Sequence, residues 1–305
     1  MRGFLIRTVT ALILIGIVIF ILWLSVAYSS VAADILMLLF AVTAACEMLS
    51  AFKKSGRYPF RAPVLLFAVA GYPAYYFFDA RGMIVAFMVS AVVALVMFTF
   101  SETAAPKRSE GYNPFDIENR SPRLKTAEDL GITVFIMIYP FMFTLATAIL
   151  TRYYNAVVIL VMAISFPIMA DTLAYYVGSL VKGPKLCPKI SPKKTVSGAV
   201  GSLFGGILAA VAVFILFDLF KVIDVGFVSF TDSMVADGFI FGALGALSAV
   251  VGLLGDLAGS KLKRALGLKD FGSVFPGHGG IIDRIDSIMF TVIFFNVAIP
   301  IAYAL

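Results

Sequence analysis

Between Gly255 and Asp286 the chain reads GDLAGSKLKRALGLKDFGSVFPGHGGIIDRID. Four aspartates (Asp256, Asp270, Asp283, Asp286) and five cations (Lys261, Lys263, Arg264, Lys269, Arg284) gather here around the sole histidine, His278. Asp283, Asp286 and Ser287 are spaced i, i+3, i+4 and share one face of a helix. Pro276, Gly277, His278, Gly279 and Gly280 precede them, and glycine lets backbone N–H groups approach a ligand closely. A helix starting just after these glycines presents free amides and a positive dipole end, an anion site ready made. Aspartates beside an anion site repel the anion unless a cation intervenes. The expected cation is Mg²⁺, held between acid side chains and phosphate oxygens. One histidine and two distant cysteines, Cys46 and Cys187, do not compose the nitrogen and sulfur site that zinc prefers.

A second cluster follows Asp171: DTLAYYVGSLVKGPKLCPKISPKKTVSG, residues 171–198. Five lysines and three prolines fall between Lys182 and Lys194, and the prolines exclude a helical extension. On charge alone this is an ordered loop that binds either anionic headgroups or a phosphorylated substrate.

The elements that carry these clusters are set by hydropathy. Hydrophobic residues make up 61% of the 305 residues and charged residues 14%, far below the roughly 25% charge of soluble domains. The chain therefore reads as an all-α polytopic membrane protein. A bilayer core of about 30 Å takes roughly 20 apolar residues per helix. Nine stretches qualify: 6–28, 31–51, 62–79, 83–101, 130–150, 155–180, 198–220, 238–257 and 281–304. The first is too long for a signal-peptide core and reads as an uncleaved span. The third is the shortest and carries Pro73. An amino-terminal bundle over 1–101 (spans 1–4), a cytoplasmic loop over 102–129 and a catalytic region over 130–305 (spans 5–9) are expected. Basic cytoplasmic loops lie at 181–197 and 258–280.

With the amino terminus inside, all but three of the 24 Lys and Arg fall on the cytoplasmic side, the exceptions being Arg81, Arg152 and Lys221. That asymmetry places the amino terminus in the cytoplasm and the carboxyl terminus outside. It also accounts for the net charge of +6 without any nucleic-acid partner. The cysteines are expected to stay reduced thiols.

Sidedness brings the span-embedded acids Glu47, Asp171, Asp256, Asp283 and Asp286 near one depth on the cytoplasmic side. Acids in spans are expensive and mark function. Glu47, followed by Lys53 and Lys54, reads equally as an acid paired with those lysines.

The two clusters together resemble the phosphatidate cytidylyltransferase (CDP-diacylglycerol synthase) family. Its signature reads here as Ser260-Lys261-Leu262-Lys263-Arg264, then Lys269-Asp270, then His278-Gly279-Gly280-Ile281-Ile282-Asp283-Arg284-Ile285-Asp286. Gly255-Asp256 and the earlier Asp171, Ala174, Tyr175 and Ser191–Thr195 fit it too. Leu173 and Ser197 depart from it, standing where members commonly carry a small residue and an acid. The resemblance covers roughly the last 135 residues of the sequence. It implies the reaction CTP + phosphatidate → CDP-diacylglycerol + pyrophosphate at the cytoplasmic membrane face. It implies metal ligands at Asp256 and Asp283, with Asp286 an outer ligand and two cations suited to in-line displacement. Lys263, Arg264, Lys269 and Arg284 are then suited to the triphosphate, with Ser260, Gly279 and Gly280 beside them. Lys193 and Lys194 face lipid phosphate or nucleotide, Asp171 a metal or the base, and His278 a phosphate or the glycine turn. CTP, phosphatidate and membrane lipid are the expected partners, a homodimer the expected assembly and a bacterial plasma membrane the expected setting. Two other readings compete: a transporter with an intramembrane acidic site, and another membrane phosphate-transfer enzyme such as a polyprenol kinase.

Overall fold

The computed structural model describes residues 30–103, 127–153, 155–219, 229–275 and 279–304. The expected first span and most of the 102–129 loop lie outside the described residues. Among the described residues are seven helices and one hairpin: α1 (Ser30–Lys54), α2 (Arg61–Thr103), α3 (Ala127–Leu150), α4 (Ala156–Leu180), β1 (Lys185–Cys187), β2 (Ser191–Thr195), α5 (Val196–Phe214), α6 (Met234–Ala265) and α7 (Ile282–Ala302). A π-helical turn, Ile215–Leu219, continues α5. Among the described residues six helices, α2 to α7, are long and apolar enough to cross a bilayer. The protein is thus an integral membrane protein by the length and composition of its helices.

The 43 residues of α2 would measure about 65 Å if straight, twice a bilayer core. The chain instead leaves helical geometry at Phe78 and at Asp79, where φ is 55° and ψ −152°. It folds back there, since the rings of Phe67 and Phe87 meet with centroids 5.4 Å apart. The two limbs match the stretches 62–79 and 83–101. Pro73 stays within the helix, as prolines do in membrane helices whose neighbours satisfy the freed carbonyl. Arg152, after α3, ties the bend down through Asp79 at 2.5 Å while lying over the Tyr75 ring.

Helices α4, α5 and α6 pack through small residues, which let backbones approach when lipid offers no hydrophobic drive between helices. A Cβ on Gly201 of α5 would sit 2.7 Å from that of Val177, and one on Gly205 would sit 2.7 Å from the Met169 carbonyl oxygen. Two large apolar clusters result. One joins α3 to α7 around Phe166, Phe241 and Phe295. The other joins Ala44, Met48 and Phe52 of α1 with Phe67 of α2 and Ile136 of α3. This second cluster also takes in Leu266, Phe271 and Ile282 from the other side of the 102–129 loop.

The prolines of the 171–198 cluster do exclude helix, and the outcome is β structure: β1 and β2 pair antiparallel, Lys185 opposite Thr195 and Cys187 opposite Ser191. The chain enters the hairpin through Gly183 at φ 108°, a conformation that favours glycine. Thr195 ends the hairpin and caps α5, its Oγ1 accepting from the Gly198 amide at 3.1 Å.

Candidate active site

Side-chain contacts bring the acids to one end of the helix bundle. Asp171 comes from the second half of α4, Asp256 and Lys263 from the last third of α6, and Asp283 and Asp286 from the first turns of α7. Lys263 Nζ lies 2.8 Å from Asp283 Oδ1 and 3.5 Å from Asp286 Oδ2. These are nearly dry pairs: the Asp283 side chain is 1% exposed and that of Lys263 10%. The ammonium also sits over the Phe271 ring, 5.4 Å from its centroid. A lysine so enclosed needs its carboxylates, and they need it.

Asp283 does more than pair with Lys263. Its Oδ2 accepts from the amides of Phe271 at 2.8 Å and Gly280 at 2.9 Å. It thereby closes the loop between α6 and α7 onto the first turn of α7. Gly279, at φ 87°, makes the turn, and its carbonyl accepts from the Phe275 amide.

A cavity of about 740 Å³ opens beside this cluster, between α4, the hairpin and α6. Lys182, Lys185, Lys193 and Lys194 line it together with Asp171, Tyr175 and Asp256. Lys194 reaches Asp256 Oδ2 at 2.5 Å. Ser260, one turn on, donates to Asp256 Oδ1 at 3.4 Å, and Ser287 of α7 donates to Asp171 Oδ2 at 3.4 Å. Asp256 is near enough to both Asp171 and Asp286 for their charges to repel. Two lysines, Lys194 and Lys263, thus stand among four carboxylates beside a basic cavity.

The expected residues divide accordingly. Asp171, Lys193, Lys194, Asp256, Ser260, Lys263, Asp283, Asp286 and Gly280 come together. Arg264, Lys269 and Arg284 are exposed and do not line the cavity; Arg264 caps the end of α6 through the Leu268 carbonyl. His278 lies outside the described residues, with Pro276 and Gly277. Ser197, the departure from the family pattern, clips the hairpin by donating to the Lys182 carbonyl.

One expectation needs correcting. The free amides at the start of α7 are not left for a phosphate. Glu47, on α1, takes them: Oε1 accepts from Ile281 at 2.8 Å and Oε2 from Ile282 at 3.1 Å. Glu47 is buried, and its bonds run to α7 rather than to Lys53 or Lys54. The signal in the sequence was an acid inside an apolar run; its partner lies more than 230 positions away and carries no charge pattern.

The carboxylates in and beside the cavity offer oxygen ligands only, a set that suits a hard divalent cation rather than zinc. Among the described residues no three His, Cys, Asp or Glu side chains converge tightly enough to hold a metal ion by themselves.

Residues 5–302 match the cytidylyltransferase family. The chain belongs to that family. A phosphatidate cytidylyltransferase of Staphylococcus aureus (strain COL) is 36% identical over 129 residues, 42% of this chain and 44% of that protein. One from Staphylococcus saprophyticus is 37% identical over the same length and shares, and one from Staphylococcus epidermidis (strain ATCC 12228) is 36% identical. The chain spans less than half the length of these curated relatives.

Proposed function

We propose that this protein is a phosphatidate cytidylyltransferase, joining the phosphate of phosphatidate to the cytidylyl group of CTP. The observation that carries the reading is the cavity of about 740 Å³, with four lysines on its wall and Asp171 and Asp256 beside them, next to the Lys263–Asp283–Asp286 cluster. Such a wall suits polyphosphate, and family membership and the three relatives support the reaction class.

In this reaction an oxygen of the lipid phosphate attacks the α-phosphorus of CTP. The bond from that phosphorus to the bridging oxygen breaks, and pyrophosphate leaves. The nucleophile is already an anion, so no general base is needed. Catalysis is then positioning and charge neutralisation. Lys182, Lys185, Lys193 and Lys194 neutralise phosphate oxygens, and Lys194 exchanges part of its pairing with Asp256 for them. Lys263 holds Asp283 and Asp286 in place. Asp256, Asp283 and Asp286 are the residues that would hold Mg²⁺. When bound, the cation supplies charge neutralisation of the reacting phosphates, and two cations suit an in-line displacement.

The membrane arrangement we propose is nine spans with the amino terminus and the site in the cytoplasm and the carboxyl terminus outside. Helix α1, the two limbs of α2 and helices α3 to α7 supply eight, and residues 6–28 the ninth. The Lys and Arg asymmetry supports this sidedness. A homodimer in a bacterial plasma membrane is the proposed state.

The test is transfer of radiolabel from α-³²P-CTP into chloroform-soluble lipid by purified protein with phosphatidate micelles and Mg²⁺. Label that requires phosphatidate and disappears with EDTA and in Asp283→Asn is the expected result. No incorporation by folded protein across several phosphatidates and metals would turn the reading toward a transporter or a lipid kinase.

A further inference from the structure

Glu47 is bound to the first turn of α7 by three independent features. Its two oxygens accept from consecutive amides, Ile281 and Ile282. Its carboxylate is cradled by two glycines: a Cβ on Gly280 would stand 2.5 Å from both oxygens, and one on Gly272 would stand 2.5 Å from Oε1. Its helix, α1, packs into the same apolar cluster as Phe271 and Ile282, through Ala44 and Met48. Glu47 does not line the cavity.

We propose that Glu47 is a positioning residue for the reaction, acting through α7; this rests on the cytidylyltransferase reading above. The residues it fixes are followed at once by Asp283, whose Oδ1 meets Lys263 and whose Oδ2 holds Phe271 and Gly280. Asp286 follows one turn later. Two carboxylates, Glu47 and Asp283, therefore grip one short backbone run, Gly280–Ile282. Asp283 orients the loop and Glu47 orients the helix start. The negative end supplied to the α7 dipole comes from α1, so the amino-terminal bundle sets the placement of the site charges. It also means that the Ile281 and Ile282 amides are unavailable to a substrate phosphate. That work falls to the lysines of the cavity wall.

Glutamine at position 47 keeps the shape but turns one acceptor into a donor. One of the two amides then faces an N–H instead of an oxygen. In Glu47→Gln the start of α7 loosens, and the charges around Asp283 and Asp286 lose their alignment with the reacting phosphates. The expected kinetic signature is a fall in kcat of roughly ten- to a hundredfold, the size that a small misplacement produces. The KM for CTP stays within about twofold, because the interaction lost acts on the transition state and not on the cavity wall. Gly272→Ala, whose new methyl displaces the same carboxylate, gives the same split.

Both variants are compared with wild type in detergent, well below the unfolding temperature of each, with hydrogen–deuterium exchange measured in parallel. Faster exchange confined to peptides covering 279–287, together with the kcat loss at constant KM, is the expected result. Wild-type kcat in folded Glu47→Gln overturns the proposal, as does a rise in KM that matches the loss in kcat. Exchange that rises throughout the chain, or not at all at 279–287, overturns it too. The exchange measurement needs no substrate. A wild-type protein without transferase activity would sink the functional reading while exchange still decides whether Glu47 anchors α7.

Discussion

Lys263 is the residue on which most of the buried charge depends. It is 10% exposed, and its partner Asp283 is nearly sealed. Removing one side of a buried ion pair leaves the other uncompensated, at a cost of about 3–5 kcal/mol. Lys263→Met is therefore expected to lose about that much stability, read as a large drop in the midpoint of thermal unfolding in detergent. Activity should vanish with it. Lys194→Ala is expected to behave differently. Its pair with Asp256 is on the cavity wall and partly exposed, so the folded protein should unfold within a few degrees of wild type. Its KM for CTP or phosphatidate should rise by about tenfold or more, since a charge-assisted phosphate contact is worth roughly 1.5–3 kcal/mol.

Among the elements, the hairpin and α5 matter most for the lysines. Residues 185–195 form the basic wall, and α5 starts where the hairpin ends. Thr195 makes the junction through its cap on Gly198. Thr195→Ala removes that acceptor and should cost about 1 kcal/mol, whereas Thr195→Ser keeps it and should be near neutral; thermal unfolding distinguishes them. The α5–α6 contact is less forgiving. A Cβ on Gly245 would stand 2.8 Å from that of Ala210, with the Gly206 backbone closer still. Gly245→Leu should force the helices apart and abolish recovery of folded protein, measured by size-exclusion of detergent extracts.

At the scale of the whole molecule, the site stands where the two apolar clusters meet. Phe271 and Ile282 lie in the cluster built on α1 and α2, while Met289 and Phe295 on α7 lie in the other. The first turns of α7 thus join the two halves, and a separated 130–305 fragment would leave Phe271, Ile282 and the Ile281 amide without the partners that Ala44, Met48 and Glu47 supply. The proposed sidedness is checked by a single cysteine at Ile190, in the hairpin, with Cys46 and Cys187 replaced by serine. A membrane-impermeant maleimide should label it only from the cytoplasmic face. Labelling from the outer face of intact cells would overturn the topology.

What could be read from the chain alone is what depends on composition and local spacing. Long apolar runs specify helices, and the bend at Phe78–Asp79 falls where the runs 62–79 and 83–101 had already parted. The spacing of Asp283, Asp286 and Ser287 put them on one helical face, and the signature picked out the family. The prolines of 181–197 argued against helix, although pairing into a hairpin depends on contacts between residues several positions apart. Tertiary structure alone decided which acid meets which cation. Lys263 and Asp283 are 20 positions apart, Lys194 and Asp256 are on different elements, and Glu47 meets Ile281 across the whole chain. An acid in an apolar run announces that it has a partner, because bare charge is costly there. It does not announce which one, because backbone amides carry no mark in the sequence. Only the folded chain, which brings Glu47 of α1 to the Ile281 and Ile282 amides, makes that side chain the anion at the start of α7.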